Sequence, residues 1–419
     1  MASVRHTGVR VKPRLSALAL PLAAFALLLA GCVRVNVHGT PPPSEPEMPD
    51  TLRVATYNVS LYDEDTGGLV QRLQLGNAQA RRIAAVLQKV RPDIVLLNEF
   101  DFDPDGRAAD LFQRRYLEQP QPGGGEALRY PYRYLAPVNT GEPSGLDLDN
   151  SGSVGGDGRE RGNDAWGYGL HPGQYGMLLL SRYPIDATAA RTFRLLKWSA
   201  MPGARRPVDP ATGAPFHSDA IWSQLRLSSK SHWDVPVRTP LGPLHVLASH
   251  PTPPTFDGPE NRNGLRNHDE IRLWSEYLSP GDRPWLCDDA GACGGLAADA
   301  RFVILGDLNN DPTDGAGEHE AIVELLEHPR VLRHATPRSE GAALAAAEDG
   351  GENGRHRGSH AHDTGRFGPR VGNLRLDYAL PSVGFSLAGS GVFWPAPGDP
   401  DTELTAASDH HLVWVDLQR

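Results

Sequence analysis

The 419-residue sequence predicts an α/β sandwich. Short apolar runs that end abruptly in polar turns read as buried strands, and segments with apolar residues at helical spacing lie between them. Alternation of the two kinds implies sheets covered by helices. Charged residues at 22% and hydrophobic residues at 39%, with 45 Gly and 37 Pro, indicate a soluble globular body rich in loops.

The first 31 residues stand apart. Arg5, Arg10, Lys12 and Arg14 precede an apolar run from Leu15 to Ala30, the charged and apolar regions of a signal peptide. Leu29-Ala30-Gly31-Cys32 resembles a bacterial lipobox, so cleavage before Cys32 and acylation of its thiol are expected. The protein is then exported and lipid-anchored to a bacterial membrane, facing the periplasm or the cell exterior; anchoring strengthens by about 0.8 kcal/mol per buried CH₂. Residues 32–50 form a Pro-rich linker, extended by composition, and residues 51–419 are expected to be one catalytic domain with long loop insertions.

Arg53 to Asn58 alternates as a strand ending in Asn58, and Ile94 to Glu99 is an apolar strand ending in Glu99. Between them, Gln79 to Arg91 places Ile83, Val86, Leu87 and Val90 at helical spacing before Pro92 stops it. A second helix is expected over Ala108 to Glu118. Further on, Asp147, Asp149, Ser151 and Ser153 match alternate positions of an EF-hand loop, which implies either structural Ca²⁺ or a solvated acidic loop. Gly158 stands where the final acidic ligand belongs, and Asp164 is a distant substitute.

GQYGMLLLSRYPI (173–185) reads as a core strand, with Tyr175 either a phosphate contact or a packing aromatic. Arg226 to Val237 mixes Ser228, Ser229, Lys230, His232 and Trp233, and reads as a solvated strand edge or hairpin, with a substrate rim as the alternative. Leu244 to His250 is another strand ending in a polar residue. The loop beyond it carries Asn261, Arg262, Asn263 and Arg266, which serve substrate or the loop's own hydrogen bonds. Asn267 is expected to cap a helix over His268 to Leu278. Cys287 and Cys293 are close enough in an exported chain for a disulfide that clips a surface loop.

The stretch RFVILGDLNNDPTD (301–314) is a buried strand ending at Asp307 and Asn309, which share one face if strand geometry continues that far. A helix is expected over Glu318 to Leu326. Ser339 to Pro369, with His356, His360 and His362, reads as a flexible surface loop rather than a metal site. Asp377 sits inside the apolar strand Leu374 to Leu380, where an unpaired carboxylate is costly, so it needs a partner. His410 is the natural one, because Ser408-Asp409-His410 ends just where the last strand begins. These strand ends together supply Asn, Glu, His and Asp, the inventory of a site that binds a hard cation and handles phosphate oxygens.

TYNVS (56–60), NEF (98–100), GMLLLSRYPI (176–185), ASH (248–250), GDLNN (306–310), LDYAL (376–380) and SDHH (408–411) resemble, in order and spacing, the motif set of the endonuclease/exonuclease/phosphatase superfamily. The resemblance implies a deoxyribonuclease I-like, four-layer α/β sandwich of two mixed β-sheets flanked by helices. It also implies a metal-dependent phosphoester hydrolase. Glu99 would be the principal Mg²⁺ ligand with Asn58 and Asp409, Mn²⁺ being the alternative ion. Asp307 would activate the attacking water and Asn309 would hold it or the phosphate. His410, paired with Asp377, would donate to the phosphoryl group, and His250 would act from the other side as general acid or transition-state stabiliser.

Loss of residues 1–31 removes four positive charges and no acidic ones, moving the formal net charge from -10 to -14. Sequence-independent nucleic-acid binders usually carry the opposite sign. Small phosphoesters or lipid headgroups are therefore favoured as substrates, an exported nuclease is the runner-up, and a noncatalytic binding protein on the same fold is the remaining alternative. A monomer is the default expectation.

Overall fold

The computed structural model describes residues 50–333 and 336–419. The signal segment, Cys32 and the linker as far as Pro49 lie outside them. The first strands are β1 (Leu52–Leu61), β2 (Ile94–Phe100), β3 (Tyr132–Tyr134), β4 (Met177–Ser181), β5 (Arg191–Thr192), β6 (His232–Thr239) and β7 (Gly242–Ser249). They are followed by β8 (Phe302–Asp307), β9 (Gly365–Arg366), β10 (Asn373–Leu374), β11 (Asp377–Pro381), β12 (Ser386–Val392) and β13 (Val413–Gln418).

One sheet has the order β12-β13-β1-β2-β4-β3 and the other β11-β8-β7-β6-β5; β9 and β10 form a separate ribbon. Both sheets are mixed, since β1 and β2 run parallel in one and β7 and β8 run parallel in the other. Each parallel pair needs a crossover, and a helix supplies it: Ala78–Val90 after β1 and Arg262–Leu278 after β7.

Strand alternation sorts the core into three apolar layers. Val54, Leu96, Leu179, Val235, Val246 and Val303 meet between the two sheets. Ala55, Tyr57, Val95 and Leu97 point the other way, onto Ile83 and Leu87 of the first crossover helix. Leu247, Phe302 and Ile304 pack on Ile271, Trp274 and Leu278 of the second. The result is helix, sheet, sheet, helix, the four-layer sandwich the motifs imply.

Three local readings differ from this structure. The helix expected from His268 begins at Arg262, and Asn267 is no cap: it is buried within the helix and donates to the Thr252 and Leu308 carbonyls at 2.8 and 2.9 Å. Ser228 to Trp233 is no solvated edge, because Trp233 fills the inter-sheet core and the polar neighbours are satisfied internally, Ser228 Oγ lying 2.6 Å from His232 Nδ1. Ser339 to Pro369 forms the helix Glu340–Asp349 and two short helical turns, with His360 Nδ1 held 2.7 Å from Asp363. A helix over Gly68–Leu75 is an addition to the elements expected. Cys287 and Cys293 are disulfide-bonded.

Candidate active site

The two parallel pairs direct their C-terminal ends to the same place. Asn58 and Glu99 lie at the ends of β1 and β2, and His250 and Asp307 at the ends of β7 and β8. β13 is antiparallel to β1, so His410, just ahead of β13, arrives at that same end. β11 is antiparallel to β8 with Asp377 opposite Asp307, which delivers Asp377 there too. Residues separated by most of the chain are thus gathered by strand direction alone.

Asn98 ties the two sheets together at this point. Its Oδ1 accepts the Asp307 N–H at 3.2 Å, and its Nδ2 reaches the Ser249 carbonyl at 3.4 Å. Gly306 makes the close approach of β7 and β8 feasible, since a Cβ there would lie 2.0 Å from the Ser249 carbonyl oxygen.

Just above Asn98 the β1–β2 register slips. Asn58 pairs with Asn98 and Leu61 with Phe100, which leaves Val59 and Ser60 opposite Glu99 alone. This bulge holds Ser60 at φ 45° and Glu99 at φ 58°, sends Phe100 to the helix side of the sheet, and turns Glu99 towards a cavity. Asn309 and Tyr175 are left-handed as well, at φ 53° and 56°. β8 stops at Asp307, so Asn309 reaches the site through this turn, rather than by the continued strand geometry expected. Its amide donates to the Pro251 carbonyl at 3.1 Å and its N–H to Asp307 Oδ1 at 2.8 Å.

Asp307 is the hub. Its Oδ2 accepts from Asn58 Nδ2 at 3.0 Å and lies 3.4 Å from His250 Nε2 and 3.7 Å from His410 Nε2. Burial pushes this carboxyl up, but His410, His250 and Asn58 outweigh burial and hold it below the usual carboxylate range. His410 Nδ1 lies 2.7 Å from Asp377 Oδ2, which also accepts from Thr364 Oγ1 at 2.7 Å. Burial alone would lower the His410 value; Asp377 and Asp307 reverse this and hold it well above the histidine norm. Asp377 is pushed up by burial to about 6 despite His410. His250 is drawn down by burial and by the Lys230 charge.

A cavity of about 520 Å³ opens above this group, with Glu99, Asp409 and His410 in its lining. Asn58, His250, Asp307, Asn309 and Asp377 are not in that lining but adjoin it, Asn58 through Glu99, and Asp307 and Asp377 through His410. Asn58 bridges Glu99 and Asp307 through Nδ2, at 3.1 and 3.0 Å, while its Oδ1 accepts the Ser60 N–H. Glu99 and Asp409 are thus the carboxylates open to the cavity, a sparse oxygen set of the kind Mg²⁺ accepts. Asp307, Asp377 and His410 also bring ligand atoms within 4.8 Å of one another, but His410 Nδ1 is already committed to Asp377.

Tyr175 lines the cavity beside Tyr62, their rings 4.5 Å apart. Arg266 gives its donors to the Leu227, Trp166, Arg226 and Ser228 carbonyls, and Asn261, Arg262 and Asn263 bond to Glu318, Glu260 and the Thr255 carbonyl. Arg262, Asn263 and Arg266 nevertheless line the cavity, so both readings of the loop have a structural basis. In the acidic loop, Asp164 joins Asp147 and Asp149 within 4.8 Å, a group that could hold a cation. Ser151 and Ser153 instead bring their hydroxyls within 3.3 Å of each other. Backbone N–H groups already bond Asp147 and Asp164, and Ser151 N–H bonds Asp149.

Sequence reasoning missed Asn98 and Thr364 as parts of this assembly. A polar side chain closing the apolar run IVLL was the available signal for Asn98; Thr364 had none, because its segment reads as loop.

The family model described as the Endonuclease/Exonuclease/phosphatase family matches residues 55–410. No curated protein matches the chain. Among solved structures, an endonuclease/exonuclease/phosphatase from Beutenbergia cavernae is 19% identical, with 88% of this chain and 72% of that one covered and a TM-score of 0.47. Sphingomyelinase C from Streptomyces griseocarneus is 16% identical, covering 87% and 99%, with a TM-score of 0.43. An endonuclease/exonuclease/phosphatase family protein from Leptotrichia buccalis is 12% identical, covering 88% and 100%, with a TM-score of 0.45.

Proposed function

Because the chain belongs to the Endonuclease/Exonuclease/phosphatase family, we propose that it is a metal-dependent phosphoester hydrolase working outside the cytoplasm by in-line attack of water. The observation that carries this reading is one assembly: an ionised Asp307, a cationic His410 3.7 Å away, and Glu99 open to the adjoining cavity.

Hydrolysis requires a water held in line, a proton acceptor for it, and positive charge against the phosphoryl oxygens. Asp307 orients the water and takes its proton. His410, kept cationic by Asp377, donates to a nonbridging oxygen or to the leaving group. His250, kept neutral by burial and by Lys230, donates a hydrogen bond to Asp307; the transition-state role fits it better than the general-acid role. Asn309 fixes the Asp307 carboxylate through its N–H. Glu99 and Asp409 would hold Mg²⁺, with Asn58, expected as a third ligand, instead bonded to Glu99, Asp307 and Ser60 and positioning Glu99; the ion when bound supplies charge neutralisation at the phosphate.

Export as a lipoprotein rests on the sequence of residues 1–32, and the Cys287–Cys293 disulfide supports an oxidising compartment. Small phosphoesters or lipid headgroups are the favoured substrates because the expected mature chain is strongly acidic. The test is an assay with Mg²⁺, Mn²⁺ or chelator against aryl monoester, aryl diester, phospholipid and DNA, run beside Asp307→Ala. Chelator-sensitive turnover lost in the variant is expected. Equal activity in both proteins would remove the mechanism, and cleavage of DNA alone would replace the substrate class. Membrane fractionation of the Cys32→Ala protein tests the anchor, with release from the membrane expected.

A further inference from the structure

Lys230 is 6% exposed, yet it lines the same cavity as Glu99 and His410. Among the described residues its ammonium has no hydrogen-bond partner; burial works against its charge, and Glu270, Glu99 and Asp307 favour it. Glu270 is the expected counter-ion, but it is otherwise engaged. Its Oε1 accepts the Ser229 N–H and its Oε2 the Thr252 N–H, both at 2.6 Å. Those bonds pin the backbone just before Lys230 and just beyond His250, so the helix Arg262–Leu278 fixes where Lys230 stands. An ammonium on so largely buried a side chain, with no acceptor from the protein, calls for an anionic oxygen in the cavity it lines.

We propose that Lys230 is a substrate ligand, binding a nonbridging phosphoryl oxygen from the His250 side of the cavity while His410 binds from the other. This rests on the phosphoester reading above and names the group that holds the phosphate there. His250 is absent from the lining and lies 3.4 Å from Asp307, Arg262 is paired with Glu260, and Arg266 gives its donors to backbone carbonyls, which leaves the Lys230 ammonium available to substrate. The two cations then straddle the phosphoryl group, and the ammonium, being compact and free to rotate its donors, follows the oxygens as the geometry at phosphorus inverts.

The test compares the full-length protein in detergent with Lys230→Met, Lys230→Gln and Lys230→Arg. Competitive inhibition by inorganic phosphate and by vanadate is measured with the best aryl ester, together with the phosphate-induced rise in Tm. Lys230→Met is expected to weaken phosphate inhibition about 10- to 100-fold, the usual worth of one charged hydrogen bond, and to abolish the Tm rise. Lys230→Arg should recover part of both. The Tm of ligand-free Lys230→Met should not fall, because it removes a charge that no protein group hydrogen-bonds; if that variant misfolds, Lys230→Gln is judged by the same readouts. Wild-type phosphate affinity in a folded Lys230→Met or Lys230→Gln, with the wild type still hydrolysing esters, would overturn the assignment and leave the hydrolase reading standing. A wild type that neither hydrolyses a phosphoester nor binds phosphate would overturn both.

Discussion

On one side of Asp307, His250 closes β7 at 3.4 Å with Lys230 beside it; on the other, His410 stands at 3.7 Å with Asp377 bonded to its far nitrogen. Both imidazoles are buried, and burial by itself pulls both towards the neutral form. The neighbour decides the outcome. Burial, helped by the Lys230 cation, keeps His250 low against Asp307 and Glu99, whereas Asp377 and Asp307 overcome burial at His410. One carboxylate is therefore served by a neutral donor and a charged one, which separates holding a base in place from stabilising the charge that develops.

The comparison breaks first at its centre. Asp307→Asn should lower kcat by about 10³- to 10⁴-fold, measured by steady-state ester hydrolysis, because it removes the proton acceptor and the anchor of both histidines. His410→Gln comes next, at about 10²- to 10³-fold, since it deletes the charged donor but leaves the base.

Asp377→Asn should cost about 10- to 100-fold and also move the pH profile. His410 titrates above its ordinary value in the folded protein, so the stability its own protonation contributes is fully present below about pH 6.5 and is lost as pH rises through the raised value. Activity should follow the same alkaline limb. Without Asp377 the His410 value drops, and that limb shifts to lower pH, as NMR titration of the imidazole would show directly. In the wild type an acid limb is expected near pH 6, where Asp377 takes up a proton and loosens its hold on His410.

His250→Asn sharpens the contrast, with a loss of about tenfold and an unshifted alkaline limb, because a histidine held below its ordinary value is neutral there. Least of all, Cys287→Ser with Cys293→Ser should leave kcat within about twofold while thermal unfolding reports a loss of about 2 kcal/mol from the short loop.

Much of the site was legible because strand ends advertise themselves. An apolar run fixes direction and depth, and the polar residue that stops it is placed at a predictable mouth, as with Asn58, Glu99, His250 and Asp307. The Asp377–His410 pair was legible for a different reason, the cost of a lone carboxylate in an apolar strand. What escaped depended on partners distant in sequence. Lys230 and Ser228 look like surface residues until Trp233 drags them inward, and Asn267 looks like a cap because its true acceptors, the Thr252 and Leu308 carbonyls, lie on other elements. Glu99's orientation was invisible too, since nothing in IVLLNEF announces a bulge.

That bulge implies a conflict between endurance and turnover. Glu99 there, and Asn309 in the turn after β8, occupy a backbone region that disfavours side chains, at roughly 1–3 kcal/mol for Glu99 and less for Asn309, whose short amide tolerates it. Glycine at either position would relax the backbone and harden the protein against heat while stripping out the group the chemistry needs. A library screened for thermal survival alone should drift towards glycine at these two positions and arrive at a tougher, idle molecule.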